Sequence, residues 1–223
     1  MFSQGRSRKA TATPAVNFYR HYTVIFAGYT AIGVLYAYLY AACDSLPIRL
    51  STSITSALAI EFSVSRFGDM LLSALLRTLP IFVIYLLGVR EYEFFCLSRA
   101  WNFFFCFAHG MSGYQLFCRF SDAMTLTKQR IWVQILCVAI MLIALICMLF
   151  LYAQMLHALR IAAKGVPILC LNGQAFSFIG QIPPQQRRQQ ISRYVKDFFQ
   201  TYLRSYCAEV IIILLISAFS LIK

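Results

Sequence analysis

The chain has 223 residues, of which 60% are hydrophobic and 13% are charged. Soluble domains are about 45–50% apolar and about 25% charged, so this composition excludes an ordinary soluble domain and predicts an integral membrane protein. The formal net charge is +12. Because the basic residues flank apolar segments, they are typical of loops that face anionic lipid and do not suggest a nucleic-acid partner.

The first part of the chain predicts a tail followed by a membrane anchor. Residues 1–19 are polar and basic, which indicates a cytoplasmic tail and leaves 20–223 as one integral membrane domain. Residues 22–43 hold no charge and exceed the roughly 20 residues that a helix needs to cross a bilayer. This apolar run is longer than the core of a typical signal peptide, so we expect an uncleaved span, with a cleaved signal as the alternative.

Further apolar segments predict spans at 69–89, 94–117, 131–156 and 205–222. The loop at 44–68 favours a short interfacial helix at its centre. Residues 165–184 are apolar but interrupted by Gly and Pro, so they either dip into the interface or re-enter the membrane. Residues 185–203 place apolar side chains at helical spacing opposite Arg and Lys, which predicts an amphipathic interfacial helix. The predicted fold class is all-α, a polytopic protein of about five transmembrane helices.

The distribution of basic residues predicts the orientation. With the N-terminus inside, twelve basic residues fall on the cytoplasmic side and six on the other side. Loops rich in Lys and Arg stay in the cytoplasm. We therefore expect a multi-pass protein of the cell membrane with a cytoplasmic N-terminus and an extracytoplasmic C-terminus.

Two arginines, Arg77 and Arg99, fall inside predicted spans, where a charge costs about 2.5–3.5 kcal/mol. Counted from the predicted span edges at ~1.5 Å per residue, Arg99 and Glu209 lie at the same depth. We predict an ion pair between them; the alternative is that each reaches the surface separately.

For Arg77, which has no acidic residue at its expected depth, Pro80 frees a helix carbonyl as an acceptor. Hydroxyls of the first span are further candidates: Tyr22, Tyr29, Tyr36 and Tyr40.

A structural role is the favoured interpretation of these polar residues. We expect the arginines to fix helix positions, with conduction or substrate binding by Arg77 as the alternative. His109, Gly110 and Gly113 fall in the outer half of the third span, where glycines permit close helix approach or a kink. The sequence holds no nucleophile elbow, P-loop or HExxH motif, so we expect no enzyme activity, catalytic residue, metal or cofactor. The eight cysteines lie mostly in apolar runs, where cysteine behaves as a small hydrophobe.

Two stretches resemble the stage II sporulation protein M family. They are LLSALLRTLPIFVIYLLG with the following FFFCFAHGMSGYQL, and ISRYVKDFFQTYLRSYCAEVIIILLISAFSLI at the end of the chain. The resemblance matches Arg77 and Gly88 to a basic-to-Gly span, Gly110 and Gly113 to the next element, and Glu209 to an acidic residue in the last span. It covers about 69–120 and 190–222 and departs from the family pattern at Ser73, Ala74 and Met111.

The resemblance implies a non-enzymatic scaffold that recruits peptidoglycan hydrolases to the septal membrane during engulfment in sporulation. Its partners would be the lipid bilayer and other membrane proteins. A transporter component that works with a separate ATPase or as a dimer is the alternative, favoured by Arg77, Pro80 and the irregular segment 165–184. An intramembrane enzyme using His109 or the carboxylates of the predicted outer face is a third hypothesis. The oligomeric state stays open.

Overall fold

The chain forms a bundle of long helices. The computed structural model describes residues 13–42, 67–87, 92–127, 130–164 and 184–221. These residues form five helices, and the all-α class predicted from the sequence is confirmed for them. The helices are α1 Thr13–Ala42, α2 Phe67–Leu87, α3 Tyr92–Leu126, α4 Ile131–Lys164 and α5 Pro184–Leu221.

Three of these helices contain segments that are long and apolar enough to cross a membrane. They are Phe18–Ala42 in α1, Ile131–Ala162 in α4 and Ile191–Phe219 in α5. Helix α2 holds a shorter apolar segment, Met70–Leu86. These segments support the membrane class expected from the composition, while the count of about five spans stays a prediction.

The last helix differs from the sequence prediction. The sequence predicted an interfacial helix at 185–203 and a separate span at 205–222, whereas α5 is continuous over Pro184–Leu221. The aromatic face of its first half packs inside the bundle, since the ring of Phe198 lies 5.3 Å from the rings of both Phe82 and Tyr85 of α2. An amphipathic pattern describes equally a helix on a membrane surface and one packed on other helices. With no Pro or Gly at 185–222, nothing in the sequence interrupts the helix.

Other helix ends also differ from the predicted spans. Helix α1 begins at Thr13, inside the predicted tail, and α4 continues from 156 to Lys164. Helix α3 continues to Leu126, through most of the connection between the spans predicted at 94–117 and 131–156. The predicted interfacial helix near 50–65, the irregular segment 165–183 and Gly88 all lie outside the described residues.

Neighbouring helices alternate in direction. Helices α1, α3 and α5 run one way, and α2 and α4 run the other way. The antiparallel pair α2 and α5 shows this directly, because Tyr194 donates a hydrogen bond to the carbonyl of Tyr85 at 2.6 Å, and Tyr206 donates one to the carbonyl of Leu71 at 3.4 Å. The core between the helices is apolar and includes Met70, Ile81, Phe105, Leu116, Leu151, Met155 and Ile212.

Helices α1 and α3 approach most closely at two glycines. A methyl group added to Gly33 would overlap the backbone carbonyl of Phe107, and one added to Gly110 would overlap the carbonyl of Thr30 and lie 3.1 Å from the Cα of Gly33. Because the obstructing atoms belong to the backbone, a side chain cannot move aside to relieve the overlap. The glycines therefore allow the two backbones to touch, as small residues do between membrane helices.

This crossing predicts a selective effect of alanine substitutions. Gly33→Ala and Gly110→Ala should each lower the free energy of unfolding by about 1–3 kcal/mol, the cost typical of overpacking. Unfolding of the purified protein by a denaturing detergent would measure the loss. Gly28→Ala and Gly113→Ala are matched controls, because a methyl group at either position meets no atom within 4 Å. Equal losses in all four variants would contradict the close approach.

Candidate functional site

Three charged or ionisable side chains from three helices meet inside the bundle. Arg77 comes from α2, His109 from α3 and Glu209 from α5. Glu209 Oε1 lies 3.0 Å from Arg77 Nη1, and Glu209 Oε2 lies 2.9 Å from His109 Nε2. Each of these side chains is at most 1% exposed. We call these three residues the ion cluster.

Helix α3 provides further acceptors for the arginine. Arg77 Nη2 donates a hydrogen bond to the carbonyl of Ala108 at 2.9 Å and another to the hydroxyl of Ser112. Ser112 in turn donates to the same carbonyl at 3.0 Å. The contact between Arg77 Nη1 and Glu209 Oε1 is close but not aligned as a hydrogen bond, and Arg77 Nε has no acceptor among the described residues. The guanidinium therefore joins α2 to α3 and α5 at once.

The histidine is held at both ring nitrogens. His109 Nδ1 lies 2.7 Å from the carbonyl oxygen of Phe105, one turn earlier in α3. A carbonyl oxygen accepts only, so Nδ1 carries a proton and donates it. The ring also packs against the ring of Phe105, with centroids 4.3 Å apart. These contacts fix the orientation of Nε2 toward Glu209.

Polar residues of the other two helices complete this layer of the bundle. Thr30 of α1 and Tyr152 of α4 share a hydrogen bond of 2.8 Å between their hydroxyl groups. The ring of Tyr152 lies 6.0 Å from that of His109. All five described helices thus contribute to one polar layer around the ion cluster, although most residues above and below it are apolar.

A second polar network lies nearer one end of the bundle. His157 Nε2 of α4 is 3.1 Å from Asp197 Oδ2 of α5. Tyr85 of α2 donates a hydrogen bond to the same Asp197 oxygen at 2.8 Å, and its hydroxyl lies 3.2 Å from Thr201 Oγ1. The side chains of His157 and Asp197 are 42% and 36% exposed. This network therefore reaches the edge of the bundle, whereas the ion cluster is enclosed.

The same end of the bundle carries an arginine–tyrosine contact. Arg160 Nη1 of α4 donates a hydrogen bond to the hydroxyl of Tyr19 of α1 at 2.6 Å, and its guanidinium carbon lies 5.5 Å from the centre of that ring. A guanidinium over an aromatic face is attracted by the ring electrons. The contact fastens the beginning of α1 to the end of α4.

The prediction that Arg99 pairs with Glu209 is wrong. Arg99 is exposed, and the two oxygens of Glu209 face Arg77 and His109 instead. The predicted depth counts Glu209 from a span start at 205, whereas the apolar segment of α5 begins at Ile191. Glu209 therefore lies deep inside this segment, at the level of Arg77.

The expected acceptors of Arg77 are also corrected. Its described partners belong to α3 and α5, and neither the carbonyl freed by Pro80 nor a tyrosine of α1 is among them. Pro80 lies inside α2, where it is buried. Two of these tyrosines pack against phenylalanines of α3, Tyr29 with Phe103 at 5.2 Å and Tyr36 with Phe107 at 5.3 Å. The hydroxyl of Tyr36 has no hydrogen-bond partner among the described residues.

The remaining predicted site residues are His109 and three glycines, and the structure places them differently. His109 belongs to the ion cluster, and Gly110 belongs to the contact between α1 and α3. Gly113 lies on the same helix but does not take part in that contact. Gly88 lies outside the described residues.

Sequence reasoning missed five residues that the structure places in the two networks: Ser112, Tyr85, His157, Asp197 and Thr201. A signal for part of this set was present. Asp197, Thr201, Ser205 and Glu209 recur at every fourth position of the sequence, so they share one face of a single helix. That face becomes apparent only if 185–203 and 205–222 are treated as one element.

The site shows no metal-binding arrangement in the part of the chain that the structure describes, where no three His, Cys, Asp or Glu side chains are grouped so that they could hold an ion. The described cysteines are free thiols: Cys106, Cys118, Cys137, Cys147 and Cys207. Comparison of the chain with family models, with curated proteins and with solved structures finds no match.

A double-mutant cycle tests the ion pair. Arg77→Leu and Glu209→Leu should each lower the free energy of unfolding by about 3–5 kcal/mol, because each leaves a buried charge without its partner. The double variant should recover a large part of the combined loss, since neither charge then remains unpaired. Detergent unfolding of the purified variants measures all terms of the cycle.

Arg99→Leu is the matched control, with the same substitution at an exposed arginine. Its effect should stay within about 0.5 kcal/mol, as for most surface substitutions. Simple additivity of the two losses at Arg77 and Glu209 would contradict the ion pair.

Proposed function

We propose that the protein is a non-enzymatic membrane scaffold that crosses the bilayer five times and holds partner membrane proteins at its lateral surface. The ion cluster is the observation that carries this proposal. Its charges contact one another and the backbone, so they join helices α2, α3 and α5 at a fixed register. A scaffold needs such a rigid frame, because its helices must present constant surfaces to other proteins.

Five spans are supported by the packing of the two less apolar helices. Helices α2 and α3 contribute Arg77 and His109 to the same layer that contains Tyr152 of α4 and Glu209 of α5. The segments around Tyr152 and Glu209 are long and apolar enough to cross a membrane. Helices that meet those segments well inside both ends share their membrane depth. The side chains of Arg77 and His109 are directed at protein, which makes such helices tolerable in lipid.

The surface of the bundle fits a membrane environment with room for partners. Helix α4 exposes large apolar side chains along most of its length, among them Trp132 at 84%, Ile146 at 64% and Leu149 at 68%. In water such a surface would aggregate. In a bilayer it contacts lipid tails or the helices of another membrane protein.

The orientation follows from charge at the helix ends. The end of the bundle that holds His157 and Asp197 also carries basic residues of the described helices, namely Arg20, Arg160, Arg193, Lys196 and Arg204. This is the pattern of a cytoplasmic face. We therefore propose a cell-membrane protein with the N-terminus in the cytoplasm and the C-terminus outside.

The partner class comes from the sequence resemblance to the stage II sporulation protein M family. It suggests that the scaffold recruits peptidoglycan hydrolases during engulfment. This assignment rests on the two stretches that carry the resemblance and adds a biological role to the scaffold inferred from the ion cluster.

Fusions to the two termini test the topology. Alkaline phosphatase is active only outside the cytoplasm, and green fluorescent protein folds in the cytoplasm, so each reports one side of the membrane. A fusion after Lys223 should be active as phosphatase and dark as the fluorescent protein, and a fusion before Met1 should show the opposite. The same compartment at both termini would contradict five spans.

Affinity purification tests the partner. The tagged protein, extracted from its native host in mild detergent, should bring down peptidoglycan hydrolases, identified by mass spectrometry and confirmed by the reverse purification. Gly28→Ala should retain them, whereas Gly110→Ala, which disturbs the frame between α1 and α3, should lose most of them. Recovery of an ATPase subunit without a hydrolase would contradict the scaffold and favour the transporter alternative.

A further inference from the structure

The hydrogen bonds of His109 require a proton that an ordinary neutral imidazole and a carboxylate do not have together. Nδ1 must donate to the carbonyl of Phe105, as shown above. Nε2 lies 2.9 Å from Glu209 Oε2, and two lone pairs at that distance repel. A second proton therefore lies between these two atoms, carried either by the imidazole or by the carboxyl group. With the guanidinium of Arg77, the ion cluster holds one net positive charge in both arrangements.

The groups that face this proton are few and come from identified helices. Helix α2 contributes Arg77, and α4 contributes Tyr152. Helix α3 contributes Cys106, a buried thiol one turn before Gly110. Helix α1 contributes Thr30, which does not titrate at ordinary pH. Arg77 stays charged under all ordinary conditions, so His109 and Glu209 are the members of the cluster that can exchange the proton.

A row of polar residues connects this pair to the edge of the bundle. On α5, Asp197, Thr201, Ser205 and Glu209 follow one another every fourth residue, and together they span about 18 Å at ~1.5 Å per residue. Thr201 is 3% exposed and Ser205 is fully buried. A buried hydroxyl row is unexpected in a helix that otherwise buries isoleucine and phenylalanine at its packed face.

Side-chain contacts link the outer part of this row, where Tyr85 joins Asp197 to Thr201 through distances of 2.8 Å and 3.2 Å. The hydroxyl of Ser205 donates to the backbone carbonyl of Thr201 at 2.8 Å, which does not relay protons, so this hydroxyl has to rotate to pass a proton on. Glu209 Oε1 accepts no hydrogen bond from the described residues and lies one turn beyond Ser205. A proton path along this row requires one water molecule between the serine hydroxyl and this oxygen, and such water bridges are nearly as favourable as direct bonds.

We propose that His109 and Glu209 form a proton-binding site inside the membrane, which exchanges protons with the half-exposed His157–Asp197 pair along the polar face of α5. A proton taken up from water at that pair reaches Glu209, which becomes a carboxylic acid or passes the proton to His109 Nε2. Release follows the same route in reverse and leaves a neutral imidazole beside the Arg77–Glu209 ion pair. This site goes beyond the scaffold function, which needs only the fixed positions of the three side chains.

Nitrogen NMR of the unmodified protein tests the site directly. The protein is labelled with ¹⁵N in its histidine rings and placed in lipid nanodiscs, and His109 is identified by the signal lost in His109→Gln. At neutral pH, Nε2 of His109 should either carry the proton or accept it as a hydrogen bond from the Glu209 carboxyl group, and its ¹⁵N signal should shift when that proton is lost as the pH rises. An Nε2 signal that stays at the position of an unbonded imidazole nitrogen at every pH would overturn the proposal.

Glu209→Gln refines the same measurement. A glutamine amide can donate to Nε2, so His109 should become a neutral ring with one proton at Nδ1 even at neutral pH. His157→Gln should leave the His109 signal as it is at equilibrium. An unchanged doubly protonated ring in Glu209→Gln would show that Glu209 does not share the proton.

The rate of proton exchange tests the route. After a rapid pH change, a pH-sensitive dye in the solution should report an uptake phase that Glu209→Gln removes. Replacing both Thr201→Val and Ser205→Ala should slow this phase on the order of tenfold, a modest rise in the barrier, without moving its equilibrium. Ser217→Ala is the matched control, because Ser217 lies on the same helix beyond Glu209 and makes the same kind of bond to a carbonyl one turn earlier, at 2.8 Å. Equal rates in the double variant and the control would overturn the route.

Discussion

The contact between Arg77 and Glu209 is the interaction on which the rest of the arrangement depends. A guanidinium or a carboxylate alone in a water-free interior costs several kcal/mol, so each group is tolerable there only beside the other. The pair therefore constrains α2 and α5 to one relative position, in which Arg77 Nη1 lies 3.0 Å from Glu209 Oε1. His109 adds α3 to the same constraint through the second carboxylate oxygen. Apolar packing alone fixes the register between helices less strictly, because a shifted helix exchanges one leucine or isoleucine contact for a similar one.

The constraint extends outward from the ion cluster through close packing. Gly110 follows His109 directly in α3, so the face that touches α1 and the side chain that reaches Glu209 are fixed by adjacent residues. Thr30 faces Gly110 through its backbone and Tyr152 through its hydroxyl, which joins α1 to α4 at the same level. A rigid centre with apolar outer surfaces suits a protein that holds other membrane proteins. A proton shared within that centre would make its charge responsive to one side of the membrane.

The sequence predicted the fold class and most helix positions but not the partners inside the bundle. Apolar runs such as that at 131–156 identify a helix whatever surrounds it, so composition and length were sufficient there. The partner of Arg77 depends on the register between α2 and α5, and the span start assumed at 205 displaced Glu209 from its true level. The aromatic face at 191–203 fitted a membrane surface and a packed interior equally well. Gly110 was identified as a close-approach residue, but its partner Gly33 lies on another helix, and the pattern of α1 alone does not reveal which of its glycines is in contact.

A distance measurement in lipid bilayers tests the contact between Arg77 and Glu209 directly. Solid-state NMR of protein labelled with ¹³C in glutamate side chains and ¹⁵N in arginine side chains detects carbon–nitrogen pairs closer than about 4 Å, the range of an ion pair. The account predicts a strong coupling between the Glu209 carboxylate and a guanidinium, which persists in Arg99→Leu and disappears in Arg77→Leu. A coupling that disappears in Arg99→Leu, or none to Glu209 in the unmodified protein, would contradict it.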